Sequence, residues 1–148
     1  DERHVVGVLH HLVHRALAVQ REQQRGAGEG DEHDAQRQQE LAVAQYNLGY
    51  MYYNGEGVTK GYVEAFKWHS KAAEHGHAGS QAFIGVMYGN GDGVTRDFVL
   101  AYKWLYLSAA QGNDFANNGL GALEKQMTPA QIAEARKLSS EFKPRLPE

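Results

Sequence analysis

From Ala44 to Gly112 the apolar positions recur in steps of three and four, the spacing of one helix face, and the steps are interrupted twice by runs rich in glycine. The pattern predicts a first helix with a stripe of Ala44, Leu48, Tyr52 and Gly55. A connector, Asn54 to Gly61, leads into a second helix that buries Ala65, Trp68 and Ala72 and stops at Gly76. Sliding the chain against itself by 36 residues returns the same reading, and 15 of the 33 positions from Ala44 to Gly76 are identical to those from Ser80 to Gly112. The second copy has Ile84, Tyr88 and Gly91 on its first helix, a connector from Asn90 to Asp97, and Ala101, Trp104 and Ser108 on its second helix. Gly49 and Gly85 lie beside the stripes, where the missing Cβ lets a neighbouring helix come close. The connectors concentrate residues that tolerate positive φ, with Val58 and Val94 expected to plug inward.

One helical pair cannot bury its own stripe, so successive pairs must stack and the last must be covered. Trp68 and Trp104, each able to cover roughly 150–250 Å², are expected to hold the layers together. A partial third copy begins at Ala116, where Leu120 and Gly121 fall in register with Ile84 and Gly85. Thr128-Pro129-Ala130-Gln131 has the hydroxyl, proline and amide of a capping box, and Ile132, Ala135, Leu138 and Phe142 share one face of the helix it opens. The expected fold is therefore all-α: a superhelix of antiparallel helix pairs, with repeats at about 41–76 and 77–112, a partial repeat at 113–125 and a capping helix at 128–142.

The chain before this array differs in composition. Residues 1–40 hold five of the eight histidines and no Phe, Trp, Tyr or Lys. They also carry the whole net charge of −3, with five Arg against eight acidic side chains. Apolar residues from Val5 to Val19 recur at helical spacing, which predicts an amphipathic helical segment within residues 1–24. Residues 25–34, with three glycines and a surplus of acid, read as a flexible linker. Asp34 is then the expected cap of the helix that opens a repeat domain at 35–148.

The repeated residues resemble the Sel-one-like repeat, a relative of the tetratricopeptide repeat. Ala44, Leu48, Gly49, Tyr52, Gly55, Gly57, Val58, Ala65, Trp68, Ala72 and Gly76 carry the resemblance, and most of the positions 36 residues on carry it again. It spans residues 41 to about 123, and a tail like Met127 to Leu138 often follows the last repeat in bacterial members. The resemblance implies a non-enzymatic bacterial scaffold, a right-handed superhelix that holds a protein or peptide in its inner groove. It implies no cofactor. The alternative is a cell-wall or lactam hydrolase, as in cysteine-bearing relatives, but this chain has no cysteine to match their disulfides. In related superhelices the groove is lined by first-helix residues off the packing stripe. Here those are Tyr46, Tyr50, Tyr53 and Asn54, then Ala82, Val86 and Asn90, and finally Asn118. Tyrosines at i, i+4 and i+7 make a rigid amphipathic surface of the type found at interaction hot spots. The competing cover for them is the chain's own residues 1–24, a preceding repeat, or a second copy of the chain.

Other chemistry finds less support. His10, His11 and His14 have a spacing that suits a divalent metal, but no carboxylate lies between Arg3 and Arg21 to complete or orient a site, so they read as solvated. The glycine connectors follow no strand and lack Gly-Lys-Ser/Thr, so they read as turns and not phosphate loops. Basic residues are scattered, and the 15 Lys and Arg against 18 Asp and Glu give nucleic acid no electrostatic footprint. No apolar run approaches the roughly 20 residues of a spanning helix, and no signal segment is visible. The expectation is thus no membrane span, with the compartment left open between bacterial cytoplasm and periplasm.

Overall fold

The connectors set the geometry of the hairpins. The computed structural model describes residues 11–15, 18 and 31–145. In it Gly55, Gly57, Gly91 and Gly93 all adopt positive φ, from 69° to 74°, which L side chains avoid. Gly93 is required twice over, since a Cβ there would lie 2.6 Å from the backbone of Tyr62. Both connectors are closed by the same pair of main-chain bonds. Glu56 and Gly61 N–H donate to Met51 and Tyr52, and Asp92 and Asp97 N–H donate to Met87 and Tyr88, each at 3.0 Å.

The helices between these turns are α1 (Asp31–Asn54), α2 (Tyr62–Glu74), α3 (Ala78–Asn90), α4 (Phe98–Ala110), α5 (Asp114–Glu124) and α6 (Pro129–Glu141). Residues 11–15 are also helical, with Leu12 and Val13 half-buried and His11 and His14 exposed. Apart from Ala18, which is helical and exposed, the remainder of the amphipathic segment expected over 5–19, His10 included, lies outside the described residues, as do residues 21–30. Residues 31–34 are helical and not part of a linker. Asp34 therefore sits inside α1 and does not cap it; its carboxylate lies 3.8 Å from Arg37, one turn on. No strand occurs among the described residues, and no described helix is long and apolar enough to cross a membrane.

Helices α1 with α2 and α3 with α4 form two hairpins, α2 packs on α3 between them, and α4 supports both α5 and α6. The glycines do what their position suggests. A Cβ on Gly49 would come within 2.7 Å of the His69 ring, and one on Gly85 within 2.6 Å of Leu105 Cγ. The tryptophans do not. The inward line of the second helices runs through Ala65, His69 and Ala72, then Ala101, Leu105 and Ser108, all buried, while Trp68 and Trp104 stand on its shoulder and are only half-buried. Lys71 and Lys103 lie over the two indoles at 4.7 Å, and Trp104 meets Phe142 edge-on. The fully buried large side chains are instead Tyr102, Leu48, Ile84, Met87 and His69.

Buried polar groups stitch the layers. Gln81 Nε2 donates to the Ala73 carbonyl at 3.3 Å, and its Oε1 accepts from Gln111 Nε2 at 2.9 Å. Ser108 Oγ donates to the Ala78 carbonyl at 2.7 Å. Helix α6 opens with the expected capping box, Thr128 and Gln131 satisfying each other's backbone N–H groups. It closes on α4 through buried Ala135 and through Ser139, whose Oγ lies 2.9 Å from the Ala135 carbonyl of its own helix and 3.2 Å from the Lys103 carbonyl of α4, so its one proton is shared between the two.

Candidate protein-interaction site

The first helices of the successive hairpins, α1, α3 and α5, carry the residues expected to line the groove. Tyr46, Tyr50 and Tyr53 share one face of α1, as their spacing requires. They converge on a residue that the repeat pattern does not single out. Phe83, reaching across from α3, sets its ring 5.8 Å from Tyr46, 6.0 Å from Tyr50 and 5.4 Å from Tyr53, each steeply inclined. Beneath it the His69 ring lies parallel at 4.5 Å. Phe83 stands where the first copy has Asn47 and the third has Gly119, so the positions shared by the copies could not reveal it. Only the differences between the copies carried that signal.

The cluster grades from buried to open. Tyr46 is half-buried, with His69 at 5.5 Å and His77 at 5.0 Å around it. Burial raises its phenol pKa, and the neighbouring Tyr50 adds to the shift. Tyr53, also half-buried, donates its hydroxyl to Asp92 Oδ2 at 3.0 Å. Burial first, and then the Asp92 hydrogen bond and charge, push its pKa up to about 12. Tyr50 remains exposed. His69 is held neutral, its pKa pushed down to about 4 by burial and, second, by His77. Its Nδ1 lies 3.5 Å from Ser80 Oγ, and its buried Nε2 has no hydrogen-bond partner. His77 is lowered too, by burial, while its Nδ1 accepts the Ser80 N–H at 3.1 Å and so caps α3.

The other expected residues divide. Asn54 and Asn90 are exposed at the ends of α1 and α3. Asn54 Nδ2 donates to the Tyr50 carbonyl at 3.2 Å, and Asn90 Nδ2 to Asp92 Oδ2 at 3.4 Å. Val86 is half-buried on α3, and Asn118 is exposed on α5. Ala82, expected in the groove, does not line it. At 3% exposure it belongs to the core with Ala101, Leu105 and Ala116, and offers no surface to a partner. Phe115 on α5, overlooked in the sequence, is 62% exposed and occupies the repeat position of Val43, which is also exposed. Among the described residues no cluster of His, Asp and Glu forms a metal site.

A cleft of about 920 Å³ opens elsewhere, between Gln38 and Val43 of α1, the turn at His75 to Gly79, and Pro144. It touches none of the expected groove residues.

The family model described as Sel1 repeat matches residues 42–77 and 78–113, one residue later than the expected repeats. Among solved structures the chain is similar to c5321, a protective antigen of uropathogenic Escherichia coli strains displaying an SLR fold. The identity is 29% over 88% of this chain, with a TM-score of 0.66, and the chain spans 29% of the antigen's length. It is also similar to a Sel1 repeat protein from Oxalobacter formigenes, with 31% identity over 75% of this chain and 88% of that one, and a TM-score of 0.54. No curated protein matches the chain.

Proposed function

Because the chain belongs to the Sel1 repeat family, we propose that it is a non-enzymatic interaction scaffold that holds a peptide or protein segment along the first-helix face of its hairpins. One observation carries this reading. Of the five large hydrophobic side chains exposed among the described residues, three stand on first helices: Val43 and Tyr50 on α1, and Phe115 on α5. Half-buried Val86 on α3 lies on the helix between them. Apolar side chains left in water along one face are the usual mark of a contact surface. The exposed amides of Asn54, Asn90 and Asn118 supply donors and acceptors for a bound main chain.

Within this face the aromatic residues have two roles. Tyr46 and Tyr53 pack on Phe83 and fix the inter-repeat angle, whereas Tyr50 and Phe115 meet the ligand. Peptides selected from a display library against the full-length chain test this. Tyr50→Ser and Phe115→Ser are each expected to weaken binding by about tenfold or more, the size of a moderate hot spot, and to leave the melting temperature near that of the unsubstituted chain. Unchanged affinity in both variants would place the site elsewhere.

A further inference from the structure

Beyond α6 the chain turns back onto the first repeat. Phe142 leaves the helix with an extended backbone and rests its ring edge-on against Trp104 at 5.4 Å. Three residues later Arg145 reaches the end of α2. Its N–H donates to the Glu74 carbonyl at 2.8 Å, and its own carbonyl accepts from His75 Nδ1 at 2.9 Å. Its guanidinium lies 3.3 Å from the Glu74 carboxylate. Both main-chain groups of one residue are thus held by two adjacent residues of a helix end. Pro144 covers Gly76, where a Cβ would come within 3.6 Å of the proline ring.

Each group selects something. The Glu74 carbonyl is among the last of its helix, which have no partner within it, and asks for an N–H from outside. A proline just before that N–H keeps the incoming chain extended and lowers the entropy lost on docking. The Glu74 carboxylate asks for a cation, and the proline ring rests against Gly76, whose φ of 90° is what calls for glycine there. The second repeat does not reproduce this set. Its equivalent positions are Ala110 and Gln111, and Gln111 Nε2 is engaged with the Gly76 carbonyl at 2.8 Å and with Gln81. The docked tail also forms one wall of the 920 Å³ cleft, so a longer segment has space to continue beside it.

We propose that Glu74, His75 and Gly76, at the end of α2 and beside a cleft that reaches Val43 of α1, form a second recognition site for an extended Pro-Arg segment of a partner protein. The chain's own Pro144 and Arg145 are its resident occupant. A partner must displace the tail, which makes the tail a built-in competitor. The ion pair is exposed and screened, so exchange is feasible.

A fluorescent peptide with the sequence of residues 141–148, titrated into full-length chains, tests this. Arg145→Asp sets a carboxylate against Glu74 and releases the tail. That variant is expected to bind the peptide about tenfold or more tightly than the unsubstituted chain, in line with the removal of an intramolecular competitor. Arg145→Ala should act in the same direction with a smaller gain. Adding His75→Ala to Arg145→Asp should abolish the gain, and Glu74→Arg with Arg145→Asp should re-pair the tail and restore weak binding. The proposal is overturned if the unsubstituted and Arg145→Asp chains bind alike, or if the gain survives His75→Ala. A dimer of the unsubstituted chain that Arg145→Asp dissociates would overturn it too, by placing the tail on a second copy.

Discussion

His69 fills in the first repeat the place that Leu105 fills in the second, against the glycine of the preceding helix. An imidazole there stacks on Phe83, but it leaves Nε2 buried and unpaired. It must also stay neutral, since its pKa is pushed from 6.5 down to about 4. Titratable neighbours on the packed elements are Tyr46 and His77, and neither offers a negative charge to a protonated ring. Between pH 6.5 and about 4 the unfolded chain therefore binds a proton that the folded chain refuses, so stability rises with pH across that window. On acidification from pH 7.5 the loss begins near 6.5 and grows to about 3 kcal/mol as the pH approaches 4, at roughly 1.4 kcal/mol per pH unit. His69→Leu copies the second repeat and removes this contribution. Urea unfolding at pH 7.5 and 4.5 is expected to show a variant at least as stable as the parent at the higher pH, and losing about 2 kcal/mol less at the lower one. Equal losses would mean that the ring is not buried as described.

The close approach of helices at Gly49 and Gly85 is the device that lets one hairpin hold its shape without a large apolar stripe. A Cβ on Gly85 would lie 2.6 Å from Leu105 Cγ and 3.1 Å from the Ala101 carbonyl oxygen, so a methyl group has nowhere to go. Gly121 is in the same register on α5, yet a Cβ there meets nothing within 4 Å. Gly85→Ala is therefore expected to destabilise by about 1–3 kcal/mol through overpacking. Gly121→Ala should stabilise by about 0.5–1 kcal/mol through helix propensity alone. Urea midpoints of the two variants check the contrast, and a shift of the same sign in both would contradict the packing described. This contact was legible in the sequence because glycine recurs at one register with a helical stripe beside it. The tryptophans misled for a related reason. Positions 68 and 69 are neighbours about 100° apart on the helix, so periodicity could not decide which of the two points inward. The recurring tryptophan concealed the residue beside it, which is His in one copy and Leu in the other.

Across the whole molecule the repeat made the all-α stack and its capping helix readable, because turn glycines, helix stops and the Thr128 capping box are local signals. The candidate face was readable in part. The tyrosine spacing placed three rings on one side of α1, but Phe83, whose ring meets all three and leaves only Tyr50 exposed, comes from the next hairpin at a position where the copies differ. If the three tyrosines only lined a groove, serine at Tyr46, Tyr50 and Tyr53 together would abolish partner capture and leave melting nearly unchanged. The packing of Tyr46 and Tyr53 on Phe83 now assigns that substitution a loss of stability. On the proposed function, Tyr50, Val86, Asn90, Phe115 and Asn118 are the surface that a partner would meet. The most direct measurement is an amide chemical-shift map of the isotope-labelled full-length chain titrated with a library-selected peptide. Shifts concentrated at those five residues are the predicted result. Shifts confined to the outward faces of α2 and α6, around Lys67, Lys71 and Lys137, would contradict the account.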